Sequence, residues 1–334
     1  MDWFRAEGMD YPWRRTRDPY AILVSEAMLQ QTQIATVLGR GYYARWMRRF
    51  PDWESLAAAE EEEVLRCWEG LGYYNRARNL MRTARTVVES YGGSFPDDPV
   101  LAGGLPGIGP YTCGAVLSFA FDRSVPIVDG NVSRVLARLF AVETEVNVPD
   151  GQRQMWGLAA AMVPQREAGL YNSALMELGQ RICRPANPLC GQCPVNRVCL
   201  AWERGTVSQY PRKRKGPPVT AVEERVLLPV RGGRVYLCQE EGRRRRGLWR
   251  LPEIRKEQAG DLRELLRFDY PITRYRVTLM VYDAPVSWRP EEVDEGRGEW
   301  FPLDLPEAWP PLGAPYRRAL ERFLNSRNEL NLGP

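Results

Sequence analysis

The sequence has 334 residues, and none of them is histidine. Because imidazole is absent, Ser-His-Asp triads and histidine-bearing zinc or iron sites are excluded, and any chemistry must use carboxylates, cysteines, hydroxyls, lysine or arginine. The length favours two domains, the formal net charge of +4 permits a nucleic-acid partner without requiring one, and no apolar run approaches the length of a transmembrane helix.

Residues 1–206 predict a succession of helices, with almost no strand signals. Asp18 followed by Pro19 is typical of a helix N-terminus, because aspartate can cap the first turn and proline suits the first helical position. An acidic first turn predicts another helix over 60–70, and the pattern over 76–93 predicts a further helix that two glycines end. We therefore expect an all-α domain in this part of the chain.

The composition changes in the last third of the chain. Residues 207–218 are polar, basic and rich in proline and glycine, which is typical of a linker. Beyond them the apolar residues alternate, which predicts a hairpin over 222–240 that turns at Gly232–Gly233 and a half-buried strand over 274–282. A helix over 314–324 is expected to follow.

The predicted fold class is therefore α+β, with two domains of different composition. The boundaries that we predict are an all-α domain over 1–206, a linker over 207–218 and a smaller α/β domain over 219–331.

Four cysteines lie within one short segment and indicate a metal centre. Cys183, Cys190, Cys193 and Cys199 have the spacing C-x6-C-x2-C-x5-C. Without histidine, the candidates are a zinc ion held by four thiolates and an iron–sulfur cluster. The remaining cysteines each stand alone in an apolar segment and are expected to be small core residues: Cys67, Cys113 and Cys238.

The segment LPGIGPYT, residues 105–112, predicts a tight turn between two helices. Gly107 and Gly109 permit close approach of the backbone, and the N–H groups of the turn and of the next helix can hold a phosphate. A plain helix–helix connector is the alternative. Four basic residues are candidates for further phosphate contacts or for a solvated surface: Arg76, Arg78, Arg134 and Arg138.

Two carboxylates are candidates for acid–base chemistry. Glu26 lies in the apolar segment YAILVSEAML, where shielding from water would raise its pKa and favour the protonated acid. Asp129 precedes a helix, where N–H groups would keep it ionised. One protonated and one ionised carboxyl group can divide the work of breaking a glycosidic bond. The alternatives are a buried structural Glu26 with an Arg or backbone partner and an Asp129 that is only a helix cap.

The chain resembles the MutY-type adenine DNA glycosylases of the helix-hairpin-helix superfamily, which includes endonuclease III. The similarity is collinear from about Pro12 to Trp202 and weaker beyond. The segments that carry it, besides the cysteine segment, are PWRRTRDPY, SEAMLQQTQIATV, GLGYYNRARNL, LPGIGPYTCGAVLS and VDGNVSRVLARL. The resemblance implies that the four cysteines bind a [4Fe–4S] cluster.

The resemblance also implies roles for individual residues. Glu26 would protonate adenine at N7, and Asp129 would stabilise or capture C1′ of the deoxyribose. Tyr111 and Asn131 would assist in the active site, with Arg14 nearby, and Gly107 and Gly109 would contact DNA. Gln31 and Tyr73 match the wedge and intercalating residues of the family, which fill the base stack; the alternatives are an exposed helix amide and a core aromatic. Bifunctional relatives carry lysine at the position of Tyr111, so the resemblance implies no efficient strand cleavage here.

The C-terminal part resembles the MutT-like domain of the same family, which is similar to Nudix hydrolases, through the segment GLWRLPE. The segment RELLRF, residues 263–268, lacks the glutamate pair of the Nudix motif, so we expect lesion recognition rather than pyrophosphate hydrolysis. The family usually has Phe-Ser-His where this chain has Ile272, Thr273 and Arg274. Because arginine has a fixed charge and no acceptor, we expect altered opposite-base recognition.

The expected function is that of a monofunctional glycosylase that hydrolyses the glycosidic bond of adenine mispaired with 8-oxoguanine or guanine. The alternatives are a glycosylase of other specificity, for example for thymine in G·T, and a catalytically silent protein that binds damaged DNA. The expected partner is double-stranded DNA with a mispaired adenine, without a membrane, and the protein is expected to be a monomer. The N-terminus shows no signal-peptide pattern, so a bacterial-type cytoplasmic, nucleoid-associated location is expected.

Overall fold

The computed structural model describes residues 1–240, 242, 246–290 and 298–331, with side chains described as far as residue 327. The chain divides into two compact units, one formed by Met1–Ala58 with Asn79–Lys215 and the other by Ala59–Arg78 with Gly216–Pro334. The last boundary between the two units, after Lys215, falls inside the segment predicted as a linker. The segment Ala59–Arg78, which the sequence pattern assigns to the helical domain, groups with the C-terminal residues instead.

The predicted α+β class is confirmed, with a helical first unit and a second unit that contains sheets. The α-helices are α1 (Asp2–Glu7), α2 (Pro19–Leu29), α3 (Ile34–Gly39), α4 (Tyr42–Arg49), α5 (Trp53–Ala57), α6 (Glu61–Trp68), α7 (Asn75–Tyr91), α8 (Pro99–Gly103), α9 (Pro110–Phe121), α10 (Gly130–Leu139), α11 (Pro149–Met162), α12 (Ala168–Glu177), α13 (Leu200–Glu203) and α14 (Ala314–Asn331). The β-strands are β1 (Thr220–Leu228), β2 (Val230–Arg231), β3 (Arg234–Gln239), β4 (Trp249–Arg250), β5 (Glu264–Ile272), β6 (Tyr275–Asp283) and β7 (Gly298–Pro302).

Helices α2 and α9 form the centre of the helical unit. The Asp18 side chain caps α2 as predicted, accepting bonds from the N–H groups of Tyr20 and Ala21. Residues 20–28 of α2 are all buried, and α9 is buried along most of its length. A helix that is apolar on every side can lie only in a core. α2 packs against α9, α9 packs against α12, and α12 packs against α10.

The predicted linker is wrong in its first half, where the chain is bound to the helical unit. Tyr210 is buried, and its hydroxyl donates a 2.5 Å hydrogen bond to Glu143. The N–H of Val146 donates to the carbonyl of Arg212 at 2.9 Å, and the N–H of Arg214 donates to the side chain of Asn147 at 2.8 Å. The polar composition of this segment therefore reflects its surface position and not freedom from the helical unit.

The second unit contains two sheets. In one sheet the order is β1-β6-β5, with β1 parallel and β5 antiparallel to β6, and in the other β3 pairs with β2, β4 and β7. The turn at Gly232–Gly233 is present, but it joins only β2 to β3. The predicted hairpin is therefore wrong for β1, which pairs with β6 in the other sheet.

Strand β6 departs from the predicted alternation in its second half. Val277, Leu279 and Val281 are buried in one core, as predicted. Met280 and Tyr282, on the opposite face, are buried in a second core with residues such as Trp288. The sheet is therefore covered on both faces at this end.

The segment compared with the Nudix motif, residues 263–268, lies almost entirely in strand β5. Among the lone cysteines, Cys113 and Cys238 are buried as expected, whereas Cys67 is only partly buried. Across the described ranges, no helix has both the length and the apolar composition needed to cross a membrane.

Candidate active site

Glu26 lies in the middle of the buried helix α2 and is only 5% exposed. Burial raises the pKa of its carboxyl group from 4.5 to about 7, and the negative charge of Asp129 acts in the same direction. A hydrogen bond from Tyr111 and the charge of Arg14 oppose these effects. The structure therefore holds a carboxyl group that is largely protonated just below neutral pH, as a general acid requires.

Tyr111 lies in the first turn of α9 and binds Glu26 directly. Its hydroxyl donates a 2.7 Å hydrogen bond to Glu26 Oε2 and lies 3.8 Å from the sulfur of Met176. Burial and the nearby carboxylates raise the pKa of Tyr111 well above its usual value, so the phenol remains a donor. The bond fixes one carboxyl oxygen of Glu26 and leaves Oε1 for another partner.

Asp129 caps helix α10, and its two carboxylate oxygens have different partners. Oδ1 accepts a 2.7 Å bond from the N–H of Val132, and Oδ2 accepts a 2.9 Å bond from Nδ2 of Asn131. Both donors stabilise the ionised carboxylate, as does the N-terminal end of the helix. Asp129 is therefore a helix cap, as one of the two interpretations predicted, and its side chain also lines a cavity.

One cavity of about 650 Å³ joins these groups. It belongs entirely to the helical unit, and its size is within the range of small-molecule pockets, about 300–1,000 Å³. The lining residues are Glu26, Leu29, Gln30, Gln31, Thr32, Gln33, Ile34, Tyr111, Asp129, Gly130, Asn131, Met176 and Gln180. A carboxyl group with a raised pKa and a second carboxyl group that caps a helix therefore border the same space.

Arg14 does not line this cavity; it lies in a neighbouring one that also borders Glu26. Its guanidinium forms an ion pair with the fully buried Glu177, donates to the carbonyl of Met9 at 2.7 Å and lies 4.8 Å from the ring centroid of Tyr11. Arg14 is therefore held by protein partners. Sequence reasoning missed Glu177, although a single acidic residue in the apolar run LYNSALMELG was a usable signal.

The predicted hairpin is present between α8 and α9. Gly107 has φ of +76°, and a Cβ there would come within 2.5 Å of the Asn79 side chain. Thr83 Oγ1 donates a 2.6 Å bond to the carbonyl of Pro106, which holds the turn against α7. Gly109 is the N-cap of α9, and a Cβ there would meet open space. Only Gly107 is therefore required by the geometry of the turn itself.

Two residues predicted to intrude into DNA have left-handed backbone conformations, which are uncommon for residues other than glycine. Gln31 has φ of +57°, is exposed and lines the active-site cavity. Tyr73 belongs to the second unit, has φ of +49° and is 48% exposed, with its ring facing Arg76 at 5.6 Å. Such strained positions are concentrated at functional sites.

The four cysteines line one cavity beside α10, together with Val135, Leu178 and Ile182. Burial, with the neighbouring cysteines, raises the pKa of the Cys190 thiol, and burial also raises the pKa of Cys193. Within the described ranges, no three cysteine or carboxylate side chains are arranged to hold a single metal ion.

Arg134 and Arg138 are buried, so both alternatives predicted for them, phosphate contact and a solvated surface, are wrong. Arg134 Nη2 donates to Asn131 Oδ1 at 2.9 Å, and its Nε donates to the carbonyl of Cys183 at 2.6 Å. Arg138 donates to Cys183 Sγ at 3.3 Å and to the carbonyl of Arg184 at 2.8 Å. These two arginines connect α10, which begins beside Asp129, to the cysteine segment.

The other two arginines also have internal partners. Arg76 is buried and donates to the carbonyls of Leu71 and Gly72 at 3.0 and 2.9 Å. Arg78 forms a 2.7 Å ion pair with Glu61. The internal partners of these arginines could not be predicted from the sequence, because most of them are backbone carbonyl groups, which no side-chain pattern reveals.

The three residues at the Phe-Ser-His position form the end of strand β5 and the turn before β6. Ile272 is partly buried against the core of the second unit, so only part of its side chain is free to contact a base. Thr273 has φ of +50° and is exposed. Arg274 is exposed, with its guanidinium 5.0 Å from the ring centroid of Tyr275 and a 2.9 Å bond to the Tyr275 hydroxyl.

Comparison with known proteins places the helical unit in a family. Residues 24–158 match the profile described as "HhH-GPD superfamily base excision DNA repair protein". The chain is 32% identical to a solved thermostable thymine-DNA glycosylase, with a TM-score of 0.55, covering 61% of this chain and 93% of that one. The chain belongs to the HhH-GPD superfamily.

Curated relatives include proteins named adenine DNA glycosylase. The human protein is 46% identical over 213 residues, covering 61% of this chain and 39% of that protein. The Arabidopsis thaliana protein is 37% identical over 303 residues, covering 78% of this chain and 48% of that protein, so its similarity extends beyond Lys215. The chain therefore spans less than half the length of these two curated relatives.

Proposed function

We propose that the protein is a monofunctional DNA glycosylase of base excision repair that hydrolyses the glycosidic bond of adenine mispaired with guanine or 8-oxoguanine. The observation that carries the proposal is the presence of Glu26, with a pKa of about 7, and the capped Asp129 on one cavity. The similarity to proteins named adenine DNA glycosylase supports adenine as the base.

In the proposed reaction, protonated Glu26 donates its proton to N7 of adenine, which makes the base a better leaving group. The bond between C1′ and N9 breaks, its electron pair goes to the base, and positive charge develops on the deoxyribose. Ionised Asp129 stabilises this charge or captures C1′. Water then supplies the hydroxyl group on C1′, and the proton that it releases restores Glu26.

Tyr111 and Asn131 position the two carboxyl groups in this scheme. The Tyr111 hydroxyl holds Glu26 Oε2, so that the proton on Oε1 is the one available to the base. Asn131 holds Asp129 Oδ2 and is itself held by Arg134. A rigid arrangement of this kind reduces the reorganisation that the transition state requires.

The described residues that line the active-site cavity include no lysine, which supports a monofunctional reaction. Schiff-base formation, which leads to strand cleavage, requires an amine at C1′. The sequence has three lysines, Lys213, Lys215 and Lys256, and none of them is among the described residues that line the cavity. A nicking assay without alkali tests this point, because efficient cleavage of the abasic strand would contradict it.

The DNA is proposed to lie across the mouth of the active-site cavity. The hairpin at Gly107 and Gly109 offers N–H groups for a phosphate, and Gln31 is an exposed residue at the cavity that can enter the base stack. Tyr73, on the second unit, is proposed as an intercalating residue. Arg14 is proposed to contribute its charge near Glu26 rather than a contact with the DNA backbone.

The four cysteines are proposed to bind a [4Fe–4S] cluster, for which four thiols are the usual donor set. Two observations support this proposal: all four cysteines line one cavity with apolar walls, and Arg138 donates to Cys183 Sγ. When bound, the cluster would supply a covalent cross-link of residues 183–199. The protein's own contribution is the pair Arg134 and Arg138, which hold this segment against α10.

The C-terminal unit is proposed to be a Nudix-like domain that reads the base opposite the adenine. Arg274 is exposed at the turn between β5 and β6, where its charge can reach a phosphate or a guanine edge. Because arginine has no acceptor, we propose that opposite-base preference differs from that of relatives with histidine there. Single-turnover excision of adenine opposite 8-oxoguanine and guanine tests this with Arg274→Ala and, as a control, with Arg276→Ala, which changes another exposed arginine of the second unit. An 8-oxoguanine preference that Arg274→Ala leaves unchanged would remove Arg274 from this role.

Thymine excision from G·T pairs is the second candidate, favoured by the 32% identity to a thymine-DNA glycosylase. A panel of duplexes with A·G, A·8-oxoguanine and T·G pairs, with base release as the readout, separates the two functions. Release of adenine alone supports our proposal, and release of thymine alone contradicts it. A protein that only binds damaged DNA would release neither base. We further propose that the protein acts as a monomer on nucleoid DNA in a bacterial-type cytoplasm.

A further inference from the structure

The segment that follows Glu26 contains four arginines and no acidic residue. Residues 27–51 include Arg40, Arg45, Arg48 and Arg49, and no aspartate or glutamate. The chain has 42 acidic residues among 334, so a segment of this length would contain about three on average. The segment belongs to the helical unit, where it forms the end of α2, then α3 and α4.

Helix α4 has one buried side and one positively charged side. Tyr43 and Trp46 are buried, whereas Arg45 and Arg48 are exposed. Residues three and four positions apart lie on the same side of a helix. Arg40, just before α4, is also exposed, and Nη1 of Arg45 donates to its carbonyl at 3.4 Å. We call Arg40, Arg45 and Arg48 the arginine face.

The buried side of α4 is fixed to α2, the helix that carries Glu26. Trp46 Nε1 donates to the Tyr20 hydroxyl at 3.1 Å, and this hydroxyl donates to the carbonyl of Phe50 at 2.7 Å. These bonds lie on the side of α4 opposite to the arginine face. The arginine face is therefore part of a rigid surface, and changes to it leave these buried contacts in place.

The charges of the arginine face are not neutralised within the protein. In the part of the chain that the structure describes, no ion pair includes any of its three residues, and the Arg45 guanidinium lies 4.8 Å from the ring centroid of Tyr42 instead. Several other exposed arginines do pair with a carboxylate: Arg5, Arg15, Arg66, Arg123 and Arg153.

An anionic partner explains the arginine face better than the helix itself does. Arg48 is in the last turn of α4, where the helix dipole favours positive charge, but Arg45 is in the middle of the helix. Positive charges three residues apart repel each other. A partner with several negative charges removes this repulsion, and no acidic residue in the segment would oppose its approach.

The arginine face continues a surface that begins at the active-site cavity. Gln31, which lines that cavity, is followed directly by α3 and α4. With six and eight residues, these helices rise about 9 and 12 Å. A DNA duplex carries one negative charge per about 1.7 Å of its axis, so a stretch as long as α4 presents about seven phosphate charges.

We propose that the arginine face binds the phosphate backbone of the duplex to one side of the mispair, beyond the base pairs at the active site. The choice of DNA as the partner rests on the proposed glycosylase function. Contacts with phosphate carry no sequence information, so this surface adds affinity and fixes the direction of the duplex without reading its bases. An acidic protein is the competing partner.

The test measures how binding depends on salt, with the whole chain, its cysteine segment loaded, and a duplex of about 30 base pairs, roughly 100 Å long, that contains one A·G pair. Each phosphate contact contributes about 0.9 to the slope of log K against log salt concentration. The triple variant Arg40→Gln/Arg45→Gln/Arg48→Gln should therefore reduce this slope by about 2.7 and weaken binding at low salt by about tenfold or more.

Two further variants keep this result interpretable. Arg123→Gln/Arg153→Gln/Arg166→Gln removes the same charge from three other exposed arginines of the helical unit, and should change the slope by less than about 1. Lysine retains the charge and can still bind phosphate, so Arg40→Lys/Arg45→Lys/Arg48→Lys should keep most of the slope. Thermal unfolding of each variant shows whether the fold is intact.

Ethylation of single phosphates locates the contact on the DNA. In the unmodified protein, ethylation should weaken binding at a group of phosphates to one side of the mispair, in addition to those beside the adenine. In the triple glutamine variant, only the phosphates of that outer group should lose their effect. An identical pattern in both proteins would overturn the inference.

The outcomes separate the inference from the proposed function. If the unmodified protein released no base from any mispaired duplex, the proposed function would be contradicted, whatever the salt slope. If base release occurred but the triple glutamine variant matched either the unmodified protein or the Arg123, Arg153 and Arg166 control in its salt slope, only the inference would be overturned. An acidic protein would then be the partner that fits the arginine face.

Discussion

The burial of Glu26 opposes folding and at the same time suits the catalytic role proposed for it. A carboxyl group in the middle of a buried helix loses its hydration, and its pKa rises to about 7. The sequence predicted this environment, because Glu26 stands alone among apolar residues. It could not predict the partner, since Tyr111 is 85 residues away and meets Glu26 only through the packing of α2 against α9.

The first prediction concerns stability. Because the folded state binds the Glu26 proton more tightly than the unfolded state does, its contribution to stability falls as pH rises from about 4.5 to about 7 and stays low above that range. The rise in the pKa of Glu26 from 4.5 to about 7 corresponds to a loss of roughly 3 kcal/mol in its contribution to the free energy of unfolding. Glu26→Gln should therefore raise the free energy of unfolding at pH 8 by more than at pH 5, measured with denaturant.

The control for this measurement is Glu89→Gln, which changes an exposed carboxylate in the same unit. It should show no such difference between the two pH values. An equal effect of Glu26→Gln at pH 5 and pH 8 would contradict the raised pKa.

The second prediction concerns the pH dependence of base release. In the proposed reaction Glu26 acts in its protonated form, so the single-turnover rate should fall as pH rises through about 7. The hydrogen bond from Tyr111 lowers the pKa of Glu26, so Tyr111→Phe should move this fall to higher pH. Tyr171→Phe is the matched control, because the Tyr171 hydroxyl has no hydrogen-bond partner in the described part of the chain. If the fall in rate occurred at the same or a lower pH in Tyr111→Phe, the hydrogen bond from Tyr111 would not lower the pKa of Glu26.

Among the helices and strands, the features that depend on residues close together in the chain were predicted from the sequence. The start of α2 was predicted because Asp18 and Pro19 act within one turn of the chain. The burial of the second face of β6 was not predicted, because Met280 and Tyr282 are covered by residues distant in sequence. Arg134 and Arg138 resemble surface arginines in the sequence for the same reason, since their partners are carbonyl groups of a distant segment.

The third prediction concerns the hairpin between α8 and α9. Gly107→Ala would combine a left-handed backbone with a contact of 2.5 Å to Asn79, and should lower the free energy of unfolding by about 1–3 kcal/mol. Gly109→Ala meets open space and should change stability by less than about 0.5 kcal/mol. Thermal and denaturant unfolding measure both. Equal effects of the two substitutions would show that the turn does not require glycine at 107.

The fourth prediction concerns the connection between α10 and the cysteine segment. Arg138→Met removes the donors to Cys183 Sγ and to three carbonyl groups, and leaves those groups without partners in a largely buried site. We expect less iron per protein and a weaker visible absorbance, with Arg153→Met on the exposed part of α11 as the control. Full iron content in Arg138→Met would contradict this structural role.

At the scale of the whole molecule, composition separated a helical part from a sheet-containing part, and the similarity to the Arabidopsis protein extends across both. The grouping of residues 59–78 with the C-terminal residues was not predicted. A contact such as the bidentate ion pair of Glu69 with Arg317, 2.6 and 2.9 Å, joins residues 248 positions apart, which no local pattern encodes.

The proposed reaction depends most on Glu26 as the acid that releases adenine. The direct measurement is single-turnover release of adenine from an A·G duplex, with enzyme in excess, by the unmodified protein and by Glu26→Gln at pH 6.5. Loss of a general acid typically costs about 10²–10⁴-fold in rate, and we predict a loss in that range with DNA binding retained. Adenine release by Glu26→Gln within tenfold of the unmodified protein would contradict the account.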